Sequence, residues 1–256
     1  MEERKIRLSK SLATERVGII NTNTHGTKME IIKYYNKNNI IIKFEDGYIT
    51  SNTYPNFISG KIRSLNDKTI YDIGFVGIGE YNKSFSQYIV WKSMLKRCYS
   101  DKFHKERMTY SNCSVCEEWH NYQIFAKWYD NNYYEIDDET MCLDKDILTK
   151  GNKIYSPKNC VFVPNTINVL FVKSDAIRGL CPIGVSFNKD IKKYRAYCLI
   201  NNKQKHLGKF DTKEDAFDVY KVFKEKHIKQ IAEEYKNLIP TKLYNAMYSY
   251  VVEIND

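Results

Sequence analysis

The chain has 256 residues, is 43% hydrophobic and carries a formal charge of +9, with 40 Lys and Arg against 31 Asp and Glu. That length holds one sizeable core or two or three small modules, and so basic a balance favours an anionic partner, nucleic acid before membrane surface. No apolar run approaches the roughly 18 residues of a membrane span, and the start, MEERKIRLSKSLATER, lacks the apolar stretch of a secretory signal.

From about 16 to 64 the sequence predicts short strands. VGII is one, MEIIKYY alternates with period two, IIIKFEDG runs into an Asp46-Gly47 hairpin signal, and YITSNTY follows. Gly18, Gly26, Gly47 and Gly60 punctuate what reads as a small β-barrel or curled sheet. Lys28, Lys33, Lys43, Lys61 and Arg63 would give it a DNA clamp, and a protein-contact role is equally open. A Gly-rich connector, IGFVGIGEY over 73–81, leads out.

The middle segment begins with a predicted helix, SQYIVWKSMLKRCY, in which Ile89, Met94 and Cys98 join Trp91 and Leu95 at helical spacing. A second helix is predicted over 119–129, with Trp119, Tyr122, Phe125, Ala126 and Tyr129 on its core side. The seven cysteines read as reduced, mostly buried thiols. Cys113-Ser-Val-Cys116 supplies half of a zinc site, but the rest would need Cys142 and Cys160, or His104 and His120. With no second C-x-x-C and no H-x-x-x-H, buried thiols are preferred to Zn²⁺.

Between 117 and 146, nine acids stand against two lysines. Beside DNA that is unfavourable unless cations sit there, although a solvated acidic loop is equally ordinary. Then comes LDKDILTKGNKIYSPKNCVFVPNTINVLF at 143–171: an acidic pair, a Gly-Asn loop, a Pro-Lys-Asn-Cys strand start and an Asn-bearing helix start. Asn159, Asn165 and Asn168 have a plain alternative as helix caps.

At the C-terminal end GVSF, YRAYCLI and KHLGKF are three short strands joined by turns at 188–192 and 201–204. Asp211-Thr212 with Glu214 and Asp215 marks a helix start. That helix directs Ala216, Phe217, Tyr220, Phe223, Ile228 and Ile231 toward the sheet. Residues 236–256, interrupted by Pro240, receive no assignment. On the second strand Tyr194, Ala196, Cys198 and Ile200 share the helix-facing side, and Lys193, Arg195, Tyr197 and Leu199 the other. Seven basic residues and one acid, Asp190, fall between Ser186 and Lys209. A solvated basic face is the plain alternative to a DNA-reading one.

Two resemblances bear on these patterns. Gly184-Val185, Leu207-Gly208, Phe210, Asp211-Thr212 and the helix register resemble the DNA-binding domain of plant ethylene-response factors (the apetala-two class), over about 50 residues. This implies a sheet face lying in the major groove of double-stranded DNA. The positions concerned are Ser186, Asn188, Lys189, Lys192, Lys193, Arg195, Tyr197, Gln204, His206 and Lys209. Where that family places arginines and tryptophans, this chain has Ser186, Asn188, Leu199, Gln204 and His206. The middle segment resembles phage-encoded HNH homing-type endonucleases over roughly 85 residues. The matching pieces are Trp91, Met94, Arg97-Cys98, Val115 to Trp119, Phe125, Leu143 to Asp146, Gly151-Asn152, Tyr155, Pro157, Asn159-Cys160, Val163-Pro164 and Asn168. The N-terminal module is similar, more weakly, to small β domains that accompany such nucleases.

The nuclease resemblance implies a ββα-metal fold binding Mg²⁺ or Mn²⁺, with Asn159 orienting a base and Asn168 a metal ligand. Asp144 stands where the family has its histidine, with Asp146 two residues on; Asp144 is a candidate metal ligand and both are candidate catalytic groups. An ordinary Asp, with a pKa of about 3.9, is a weak base near neutrality. Either Asp144 serves as ligand, or His120 or His104 supplies the base, or cleavage is lost and binding kept. The expectation is an α+β chain of three modules. They are an N-terminal β-barrel-like module (1–80), a central HNH-like domain (81–175) and a three-stranded antiparallel sheet packed on one helix (176–256). The expected function is a sequence-preferring, metal-dependent DNA endonuclease, acting as a monomer on DNA in the cytoplasm of an infected bacterial host, without membrane contact. The alternative is a catalytically degenerate DNA-binding regulator or inhibitor.

Overall fold

The structure, a computed structural model, describes residues 14–172, 180–200 and 203–256. Most of the charged N-terminal stretch, and Asn201 and Asn202 of the expected 201–204 turn, lie outside the described residues. The chain groups into two compact units, Met1–Asn131 and Asn132–Asp256. The expected module boundaries near 80 and 175 fall inside these units.

In the first unit, strands β1 (Ile20–Thr22), β2 (Lys28–Asn36), β3 (Asn39–Phe44) and β4 (Ile49–Asn52) pair antiparallel in sequence order. The alternation of MEIIKYY and IIIKF sends Met29, Ile31, Ile40, Ile42 and Phe44 to one face, where Phe57 and Ile62 complete a core. Phe57 comes from helix α1 (Tyr54–Ile58), capped by Thr53, whose Oγ1 accepts from Asn56 N–H at 3.3 Å. At the β3–β4 hairpin, Gly47 takes φ +89° and Asp46 Oδ1 accepts from Tyr48 N–H at 2.9 Å, as the Asp-Gly signal predicts. The barrel expectation is corrected. Among the described residues the sheet is open, because β1 and β4, of three and four residues, end as unpaired edges.

The connector 73–81 lies on helices α2 (Ser86–Tyr99) and α4 (Tyr122–Asn132), with a short α3 (Asp101–Glu106) between them in sequence. A Cβ on Gly74 would come within 2.4 Å of Leu95 and 2.9 Å of Trp91, so only glycine admits this approach. Trp91, Trp119, Tyr122 and Phe125 are fully buried, as the helical spacing predicts. Ile89 is not: it is 68% exposed, on the opposite side of α2. The second helix starts at Tyr122 rather than 119, because residues 117–120 form a 3-10 turn. Short extended pieces, β5 (Ser114–Val115) and β7 (Ile154–Tyr155), complete the minor elements.

The second unit has two cores joined by one helix. Strands β6 (Met141–Asp144) and β8 (Val161–Pro164) pair antiparallel and lead into α5 (Asn165–Asn168), a single turn of four residues. Strands β9 (Val185–Asn188), β10 (Lys193–Ile200) and β11 (Lys203–Phe210) form an antiparallel sheet with β10 central. Helix α6 (Lys213–Tyr235) follows, its Thr212 cap accepting from Asp215 N–H at 3.1 Å. Its first half packs Ala216, Phe217 and Tyr220 on Val185, Ala196 and Cys198 of the sheet. Ile228 and Ile231, expected to face the sheet, belong instead to the other core. There Ile228 and Ala232 meet Ile147, Val161, Val163 and Ile167. Helix α7 (Thr241–Tyr248), in the stretch left unassigned from sequence, closes that core with Leu243 and Met247. No helix among the described residues is long and apolar enough to cross a membrane.

Candidate functional site

Asp144 ends β6 as the chain turns into the loop that carries the acidic pair. Its Oδ1 accepts from the N–H groups of Asp146 (2.9 Å) and Ile147 (2.8 Å), so the carboxylate caps the turn it begins. Burial, and after it the charge of Asp146, push its pKa up to about 6, against the pull of the two backbone donors and of Lys145. Oδ2 makes no hydrogen bond with any described residue. Asp146 is half-exposed and pairs with Lys145 Nζ at 3.2 Å. Lys145 itself is buried, its Nζ 5.7 Å from the centre of the Tyr155 ring.

Asn159 does not hydrogen-bond to Asp144. Its Nδ2 donates to Asn152 Oδ1 at 3.1 Å, and Asn152 Nδ2 donates to the carbonyls of Lys145 (2.7 Å) and Ile154 (2.8 Å). Asn152, quoted from sequence without a role, is therefore the residue that fastens the loop, next to Gly151 at φ +80°. The signal was legible: an Asn beside a turn glycine can satisfy carbonyls that no strand pairs. Asn152→Ala should cost about 1 kcal/mol, by leaving the part-buried Lys145 carbonyl without its donor; an unchanged urea midpoint would show the staple to be dispensable. Asn168 is half-buried at the end of α5, and its side chain makes no hydrogen bond with a described residue. It is not a cap. Glu139, in the acidic stretch, is engaged structurally, accepting from Tyr235 Oη at 2.6 Å and Thr166 N–H at 3.4 Å.

Among the described residues no three His, Cys, Asp or Glu side chains are grouped to hold a metal ion. Asp144 and Asp146 provide two hard oxygen donors, which suits Mg²⁺, an ion that keeps several waters and completes its shell with substrate phosphate. The two histidines considered as bases each meet a backbone carbonyl, His104 at Arg97 O (2.9 Å) and His120 at Val115 O (3.1 Å). All seven cysteines are free thiols, four of them buried.

On the C-terminal sheet, register arranges the expected DNA-contacting residues in cross-strand rows. Ser186, Arg195 and Lys209 form one row, Asn188 and Lys193 a second, Tyr197 and His206 a third. Gln204 pairs with Leu199, 61% exposed, which confirms the open face. Strict alternation along β11 would set 204 and 206 opposite to 209. A bulge resolves this: the register shifts between Ala196 and Tyr197, so Leu207 is extra and turns to the core. Gly208 sits at the bulge, where a Cβ would come within 2.7 Å of the Phe210 ring. Lys205 pairs with the core-facing Cys198 and Lys203 with Ile200, so these two of the seven cations lie on the helix side.

The remaining positions differ in freedom. Arg195 and Lys209 make no ion pair or hydrogen bond with described residues, whereas Lys193 pairs with Asp211. Asn188 Oδ1 holds its own turn, accepting from the N–H groups of Asp190 (3.0 Å) and Ile191 (3.4 Å). Lys189 and Lys192 are exposed in that turn, Lys192 at φ +51°. Lys28, Lys33 and Lys43 are exposed on the N-terminal sheet and Lys61 and Arg63 beyond it, but Glu30 pairs across with Lys43 and flanks Ile20, so the sheet's outer face is mixed in sign. Comparison with family models, curated proteins and solved structures gave no match.

Proposed function

We propose that the chain binds duplex DNA through the open face of β9–β11 and hydrolyses a phosphodiester at the Asp144 loop with Mg²⁺ or Mn²⁺. The observation that carries the reading is the Ser186–Arg195–Lys209 row, two unpaired cations and a hydroxyl in register beside Tyr197 and His206. Such a strip offers charge for phosphates and donors for base edges within the width of a major groove. In the cleavage step a water oxygen attacks phosphorus as the bond to one sugar oxygen breaks; Asp144 Oδ2 takes the proton lost by the water, and the departing oxygen is protonated from solvent. A group titrating near 6 is ionised at neutral pH yet holds a proton better than an ordinary carboxylate. The backbone bonds to Oδ1 fix the carboxyl plane, and Asn152 holds the loop. A divalent ion held by Asp146 and the substrate phosphate would supply neutralisation of charge on the scissile phosphate.

DNA binding without cleavage is the second reading, favoured by the capping duty of Asp144 Oδ1, which a purely structural aspartate performs equally well. Supercoiled plasmid with Mg²⁺ or Mn²⁺ separates the two: nicking that is lost in Asp144→Ala and Asn168→Ala supports the enzyme. No nicking of any DNA that the chain binds leaves the second reading. For binding itself, Arg195→Ala should weaken duplex affinity about three- to ten-fold and lower the slope of log K against log salt by about 0.9. A slope that does not change would remove Arg195 from the phosphate contacts.

A further inference from the structure

The helix side of the C-terminal sheet gathers three basic side chains, Lys205, Lys224 and His227, none of them paired with an acid. Lys205 turns toward α6, its Nζ 4.8 Å from the centre of the Phe223 ring. One turn further along, the His227 imidazole stacks on the same ring, with centroids 6.5 Å apart and planes at 26°. Lys224 lies between them in sequence and is only 9% exposed, close enough to Cys198 for their charges to interact. None of the three makes a hydrogen bond or ion pair with a described residue. Among the described residues only the Trp119 indole nitrogen is both sealed from solvent and unpartnered, so the Lys224 ammonium still reaches water.

This arrangement is costly as it stands. Burial depresses the Lys224 ammonium. Burial and then the charge of Lys224, with a smaller push from Lys205, lower His227, while Glu234 pulls the other way. Glu234 is itself engaged by Gln230, whose Nε2 donates to it at 2.9 Å. Like charges brought together in a partly dry place repel, and an ammonium without an acceptor loses its hydration. One multi-oxygen anion relieves both penalties, because it offers acceptors in several directions at once. We propose that Lys205, Lys224 and His227 form a binding site for a phosphate-class anion, on the side of the sheet opposite the Arg195 row. The anion is either free phosphate or a backbone phosphate of a nucleic acid, and access is natural because β11 is an edge strand. The inference does not depend on the open face reading DNA.

The plain alternative is a lysine whose tip is merely hydrated. The full chain settles it by NMR titration of the His227 ring, assigned with His227→Gln, in the presence of inorganic phosphate and separately of a short duplex. The expected result is a saturable move of the His227 midpoint to higher pH. It should be about ten-fold weaker in Lys224→Met, the loss of one charge-assisted bond. The exposed Lys205→Gln should weaken it in the same direction without threatening the fold. A response to phosphate alone identifies a free anion, and a response to duplex a backbone phosphate; both support the site. No movement with either anion overturns it, even when the duplex binds in an Arg195-dependent way. A response of undiminished affinity in both lysine variants overturns it too.

Discussion

Replacing Asp144 by asparagine is expected to lower metal-dependent nicking about 10²- to 10³-fold, the range of a lost general base, and yet to stabilise the fold above pH 6. The two effects have one origin. Asparagine keeps an Oδ1 that accepts from Asp146 and Ile147, so the turn cap survives. What disappears is a negative charge in a place that resists it, since burial and Asp146 push the Asp144 pKa up to about 6. The folded chain holds that proton more tightly than the unfolded one. Stability from this group is therefore full below the ordinary carboxylate range, falls as pH rises toward 6, and is flat beyond. The variant should lack that fall and be more stable at pH 7.5 by on the order of 1–2 kcal/mol, after allowing for solvent reaching Oδ2. Urea unfolding of both proteins at pH 4, 6 and 7.5 checks the sign. A variant that is less stable at pH 7.5 would mean that the ionised carboxylate has a compensating cation. A variant that nicks at the parental rate would remove Asp144 from the chemistry.

Much of this architecture could be read from the sequence where one physical signal dominated. The period-two alternation of MEIIKYY marked strand β2, and Asp211-Thr212 marked the start of α6. Closure of the first sheet could not be read, because it depends on whether two edges meet, and no local pattern encodes that. The length of α6 misled for a different reason. A single apolar stripe from Ala216 to Ile231 looks like one face for one partner, but over 23 residues the helix outruns the sheet and serves a second core. Ile89 shared a helical spacing with buried neighbours and still faces out.

The candidate site divides in the same way. Residue types and register predicted which side chains share the open face of β10, since alternation alone decides it. The bulge that brings His206 and Lys209 onto that face is a property of the Leu207-Gly208 step, which spacing does not announce. Asn159 was assigned from its place in a motif, whereas its hydrogen bonds run through Asn152 to the Lys145 carbonyl. A motif names residue types, but hydrogen-bond order depends on loop geometry. The raised pKa of Asp144 was likewise hidden, because burial of a strand end is a tertiary quantity.

The Gly184→Ala variant should cost the C-terminal sheet about 3–4 kcal/mol, by adding left-handed strain to overpacking. Gly184 has φ +74°, and a Cβ there would sit 2.1 Å from the Tyr220 ring. Tyr220 cannot withdraw easily, since it is 5% exposed and packs with Phe217 and Val185 in the core beneath the sheet. Nor can the backbone slide, because Gly184 O accepts from Tyr197 N–H at 2.9 Å and so ties β9 to the strand bearing Arg195. Hydrogen exchange at the β9–β11 amides should quicken by about 10²-fold, the factor that roughly 3 kcal/mol implies where exchange follows opening of the sheet. Protection equal to that of the parent would mean that the close approach to Tyr220 is not tight. The variant also separates two ways of losing DNA. Arg195→Ala removes a contact and weakens binding at every temperature, with an altered salt slope. Gly184→Ala leaves every contacting side chain in place, so its binding should recover on cooling to a temperature where the sheet is folded, with the parental slope.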